Sequence, residues 1–110
     1  MRVLLGECVN RRLKSRLPGF EVYTVADMKW RGLKNDNLMA AAIGAGFDVF
    51  LTVDKNLEYQ QNLKNYDIIV AVFDVRKNTI EQLELFVPAF QMQLPTFIKG
   101  QAYRIKTLNA

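Results

Sequence analysis

The sequence predicts an α/β fold: a single domain over residues 1–110, with a mostly parallel sheet of four to five strands flanked by helices. Three observations predict it. Short β-rich runs alternate with segments of helical periodicity along the chain. The run Ile68 to Phe73 is almost wholly apolar, as a strand covered on both faces must be. With 110 residues, half of them hydrophobic, the chain has enough material for one core and too little for two.

The elements follow in order. Val3 to Leu5 reads as a short buried strand. Val9, Leu13 and Leu17 recur every four residues, one face of a helix whose other faces carry Arg11, Arg12, Lys14 and Arg16; Pro18-Gly19 stops it. Phe20 to Val25 is a second strand, followed by a turn-like stretch from Trp30 to Lys34. Asn35 is placed to cap a helix with the stripe Leu38, Ala42 and Ile43, and Gly44-Ala45-Gly46 to end it, Gly46 in the left-handed conformation. Val49 to Val53 is a third strand, and Asp54 begins a helix through about Leu63. After the fourth strand, Asn78 and Glu81 have capping-box spacing before a stripe of Ile80, Leu83, Val87 and Phe90, which Pro88 kinks or breaks. Ala102 to Ile105 is a last, edge strand. Such alternation implies right-handed crossovers and a parallel sheet.

Composition narrows the function. The chain has no histidine, which removes histidine acid–base chemistry, serine or cysteine triads and most zinc sites. Its single cysteine, Cys8, allows no internal disulfide and reads as a small buried hydrophobe. No apolar run is long enough to span a membrane, and Met1 to Leu5 is too short for the core of a signal peptide, so a cytoplasmic protein is expected. The net charge of +4 permits a polyanion partner without demanding one. There is no glycine-rich phosphate loop.

In parallel sheets ligands bind beyond the carboxyl ends of the strands. The residues there share a type: Glu7 after Gly6, Asp27, Asp54 and Asp74, with Asp36 in the first turn of a helix facing the same rim. Carboxylates crowded on one rim repel unless a cation intervenes, and hard oxygen ligands suit Mg²⁺ or Mn²⁺. Each acid also has a structural reading: Asp54 as a cap, Asp36 as complement to a helix dipole, Asp27, Glu7 and Asp74 as loop acids. Arg11, Arg12, Lys14 and Arg16 read either as a solvated face or as phosphate contacts. Phe86, Phe90 and Phe97 read as core or oligomer contacts.

Three stretches add a resemblance: Leu4-Leu5-Gly6-Glu7-Cys8, Met28 to Asn35, and above all Phe47 to Leu63, where a strand ending Thr52-Val53-Asp54 is followed by Asn56-Leu57-Glu58-Tyr59-Gln60-Gln61-Asn62-Leu63. Together they resemble the short bacterial PIN-like domains, relatives of toxin–antitoxin ribonucleases, from residue 1 to about 72 and more weakly to the end. The resemblance implies a single Rossmann-like, PIN-like domain over residues 1–110, Mg²⁺- or Mn²⁺-dependent RNA cleavage, an antitoxin partner protein, and a homodimer. It implies that Glu7 and Asp54 match family acids and that Trp30 and Gly32 match a Gly-Trp-x-Gly turn. Asp36 stands one position early relative to the family's acid, about 100° away on a helix. The expected metal set is Glu7, Asp36, Asp54 and Asp27, and the expected RNA contacts are Arg11, Arg12, Arg31, Lys34 and Lys55.

The main departure is Gly6, where the family has aspartate at the centre of its acidic site. Glycine supplies no ligand, so an impaired or inactive ribonuclease is expected. The alternatives are a non-catalytic module of the same fold that binds RNA or an antitoxin, and a receiver-like phosphoacceptor domain using Asp54, Glu7 and Lys99.

Overall fold

The computed structural model describes residues 1–59 and 63–108. Five strands form one sheet: β1 (Arg2–Leu5), β2 (Glu21–Thr24), β3 (Val49–Thr52), β4 (Ile69–Phe73) and β5 (Ala102–Ile105). Their order is β2-β1-β3-β4-β5 and every pairing is parallel. The expected Rossmann-like α/β class is observed, with β5 at an edge.

Alternation along the strands builds two apolar layers. Val3, Leu5, Val49, Leu51, Ile69, Ala71 and Phe73 face one side. There they meet Leu13 of a 3-10 helix (Arg11–Arg16), Leu83 of α2 (Ile80–Glu84) and Phe90 of α3 (Val87–Gln93). The second face carries Leu4, Phe50, Val70 and Val72. They pack under α1 (Asn35–Gly44) and two 3-10 helices, Lys55–Tyr59 and Leu63–Asn65. All five residues of β4 are buried, which explains its unbroken apolar run. Phe86 and Phe90, expected in the core or at an oligomer contact, are core: their ring centroids lie 5.4 and 5.7 Å from that of Phe73.

One crossover differs in hand from the other three. β1→β2 moves towards one edge over the first face. β2→β3 and β3→β4 move the other way over the second face, so the three share a hand. β4→β5 moves in that second direction but over the first face, and so has the opposite hand. The rule for right-handed crossovers rests on a single packed helix returning the chain. Here Pro88, in the first turn of α3, separates two short helices that follow the apolar face on which Phe73 lies.

Local signals shift by about one residue. The Val9–Leu17 segment is a tight 3-10 helix, capped by the Asn10 side chain, which accepts the Arg12 N–H at 3.0 Å. Asn35 is the first residue of α1 and Lys34 occupies the cap position, without a side-chain cap bond. Gly46 closes α1 as expected, at φ +84°, where a Cβ is strained. Thr79, not Asn78, caps α2 by accepting the Gln82 N–H at 3.3 Å. Asn78 instead accepts the Asn10 N–H at 3.0 Å and donates to the Cys8 carbonyl, tying α2 to the end of β1. The helix expected from Asp54 to Leu63 begins as the 3-10 turn Lys55–Tyr59, and Gln60, Gln61 and Asn62 of the family-like motif lie outside the described residues.

Candidate functional site

Because every strand is parallel, the segments after them share one rim: Gly6-Glu7, Asp27, Asp54 and Asp74 follow β1 to β4 in turn. The acids have separate partners. Glu7 lies past the end of β1, and its Oε1 accepts the Gly32 N–H at 2.9 Å, tying down the Trp30–Lys34 turn. Asp27 Oδ2 accepts from Lys14 Nζ at 2.7 Å and from the Thr24 N–H at 2.9 Å. The Lys14 ammonium, then the Thr24 N–H, hold this carboxyl below the usual carboxylate range. Asp54 Oδ1 accepts the Asn56 N–H at 3.0 Å, the cap anticipated for it. Asp74 pairs with Lys55 at 3.0 Å, and that bond lowers its pKa, helped by the charges of Lys55, Arg104 and Lys106. Asp36 accepts from the Tyr66 hydroxyl at 2.7 Å, which raises the phenol above its ordinary pKa.

Among the described residues, clefts open along this rim. The first, about 530 Å³, is lined by Gly6, Glu7 and Asp27 with Arg11, Lys14 and Arg31. A smaller one, about 210 Å³, holds Gly6, Glu7, Cys8, Thr52 and Asp54 over the ring of Phe50. Glu7 therefore stands between the two, and Glu7 and Asp54 share the second. A third cleft lies at the ends of β4 and β5, about 350 Å³, with Lys55, Asp74, Arg76 and Lys106 in its wall. Of the expected RNA contacts, Arg11 and Arg31 line the first cleft and Lys55 the third, while Arg12 and Lys34 line neither. Asp36 lines none of the three.

The Thr-x-Asp motif has a local cause. Thr52 is buried, 2 % exposed, and its Oγ1 accepts the Asp54 N–H at 3.1 Å, fixing the turn that presents Asp54. Cys8 is exposed rather than buried, because it lies on the rim beyond β1 and not in the strand; its Sγ is 3.4 Å from Thr52 Oγ1. Lys99 precedes β5 and approaches Asp48, which precedes β3, at 3.6 Å. That pair is on the amino rim, opposite Asp54.

The four acids of the expected metal set do not share one cleft: Glu7 joins Asp27 in the first and Asp54 in the second, and Asp36 lines neither. Among the described residues no three acids or cysteines come together in a group able to hold a metal ion. In the second cleft Glu7 and Asp54 each already accept a backbone N–H, and Gly6 between them has no side chain. Gly6 is shaped to its neighbour: a Cβ there meets Phe50 Cζ at 3.1 Å and Thr52 Oγ1 at 3.5 Å.

Arg76 and Lys106, just after β4 and β5, line the third cleft and were not among the residues expected from the sequence; their signal is their place on the rim beyond the strands. No helix among the described residues is long and apolar enough to cross a membrane. No family model, curated protein or solved structure matches the chain, so its PIN-like resemblance rests on its own motifs.

Proposed function

We propose that this chain is a PIN-like module that binds single-stranded RNA through the carboxyl rim of its sheet, without an intact catalytic metal set. The observation that carries the reading is the first cleft: Arg11, Lys14 and Arg31 converge beside Gly6, where the metal-binding acid of the resembled family is absent. Among the described residues neither Arg11 nor Arg31 is held in an ion pair, so both guanidinium groups are available to phosphate oxygens. Lys14 is neutralised in part by Asp27 and serves mainly to keep that acid from repelling the strand. On this reading the chain works in the cytoplasm, pairs with itself, and meets an antitoxin protein as its regulator.

Fluorescence anisotropy with labelled single-stranded RNA tests the reading. Affinity should fall steeply with salt. The Arg11→Ala/Arg31→Ala variant should bind about tenfold more weakly, with a log–log salt slope smaller by ~1.4 for two lost phosphate contacts. RNA binding that is absent, or indifferent to both changes, sinks it.

A second reading has its own observation. Glu7 and Asp54 line one cleft directly over Gly6. An aspartate at position 6 would complete a three-carboxylate set there, so this chain is then a ribonuclease lacking one acid, and Gly6→Asp should gain Mn²⁺-dependent cleavage.

A further inference from the structure

The third cleft has no part in that reading, yet its chemistry is more one-sided than that of the first. Three cations, Lys55, Arg76 and Lys106, face a single carboxylate, Asp74. Lys55 is spent on Asp74 at 3.0 Å; among the described residues no ion pair holds Arg76 or Lys106. Both are exposed, and Thr107 adds a hydroxyl to the same wall. The three cations come from different segments, the ends of β3, β4 and β5, so the parallel topology and not one charged run assembles them.

We propose that Lys55, Arg76 and Lys106 form a second phosphate-binding subsite, which takes a backbone phosphate of the strand that enters at Arg11 and Arg31. The guanidinium of Arg76 offers paired N–H donors to two phosphate oxygens, Lys106 supplies a point charge, and the Lys55–Asp74 pair fixes one wall. The first cleft lies at the β2–β1 end of the rim and the third at the β4–β5 end. Four inter-strand steps separate the outer strands, roughly 19 Å at ~4.8 Å per step. A single strand laid across the rim would contact both clefts and pass over the Glu7–Asp54 cleft between them. The proposal deepens the RNA reading and rests on it for the identity of the polyanion; the phosphate chemistry stands apart from it.

Two measurements on the whole chain separate those claims. In the first, inorganic phosphate is titrated at constant ionic strength while NMR follows the backbone and side-chain N–H signals of Arg76, Lys106 and Thr107. Saturable shifts are expected, and they should vanish in Arg76→Ala/Lys106→Ala. In the second, a ~12-nucleotide RNA is bound to wild type and to that variant, with about tenfold weaker binding and a salt slope smaller by ~1.4 expected. Unchanged RNA affinity overturns the shared path. Absent phosphate shifts overturn the subsite. Phosphate shifts in a protein that binds no RNA uphold the subsite for a small phosphate and overturn the RNA reading. Both substituted side chains are exposed, and a thermal melt matching wild type confirms that any loss is not unfolding.

Discussion

The two rims of the sheet carry similar residues and use them differently. On the amino rim, Arg2, Glu21, Asp48 and Lys99 are held by partners within the fold. The Arg2 guanidinium lies 4.6 Å from the Phe47 ring and 5.2 Å from the Tyr23 ring, approaches Glu21 at 3.6 Å and donates to the Ala45 carbonyl. Asp48 accepts the Arg2 backbone N–H at 2.9 Å and faces Lys99. On the carboxyl rim Lys14 and Lys55 each neutralise one acid, and Arg11, Arg31, Arg76 and Lys106 line clefts with no ion pair among the described residues. The amino rim uses its cations to hold the fold; the carboxyl rim holds a surplus of positive charge facing solvent. That surplus, and not the acids, distinguishes the rim where a parallel sheet binds ligands.

The largest effect should come from putting an acid back into the carboxyl rim. Gly6→Asp forces a Cβ to within 3.1 Å of Phe50 Cζ, so the ring must move. Overpacking of this kind costs about 1–3 kcal/mol, read as a lower urea midpoint. Phe50→Leu, which draws the side chain back, should recover much of that loss in the double variant. The folded double variant then decides between the two functional readings. Mn²⁺-dependent RNA cleavage favours a ribonuclease that lacks one acid, and no cleavage leaves the non-catalytic module.

A smaller effect should separate the rims. Arg2→Ala removes two ring contacts and an ion pair, and is expected to cost ~1–2 kcal/mol of stability with RNA affinity unchanged. Arg31→Ala should do the reverse, leaving stability within ~0.5 kcal/mol and weakening RNA binding. If Arg2→Ala lowers RNA affinity as much as Arg31→Ala does, the division of labour between the rims is wrong.

The fold was legible because burial on both faces leaves no freedom in the strands. Ile69–Phe73 and Val49–Thr52 are apolar at every position but Thr52, and the strand alternation of β1 assigns its residues to two cores. The same holds for the acids' common rim, which follows from parallel order alone. What the sequence hid is pairing at a distance. Glu7 meets Gly32, and Asp36 meets Tyr66, through bonds between residues 25 and 30 positions apart, and no local pattern announces either. The cap of α2 slipped by one residue because Asn78 was drawn to Asn10 and Cys8, leaving Thr79 to accept the Gln82 N–H. The hand of the last crossover was hidden too, because a proline break says where a helix stops and not which face the chain takes next.

The smallest predicted effect tests whether the internal lysines matter to the carboxyl rim. Asp27 and Asp74 have folded pKa values below the ordinary carboxylate value, set first by Lys14 and Lys55. A depressed folded pKa means that the unfolded chain takes up the proton first. The stability from these pairs is therefore present above the unfolded carboxylate pKa of about 3.9 and is lost as pH falls through the lower folded values. Both pairs are partly solvated, with side-chain exposures of 37 % and 24 % for the two acids, so each is worth about 0.2–1 kcal/mol. Lys14→Met/Lys55→Met should be less stable than wild type at pH 7, and the gap should close as both proteins are taken towards pH ~2. A gap that stays constant with pH would mean that the lysines act through their alkyl stems, packed on the rim, and not through the carboxylates they face.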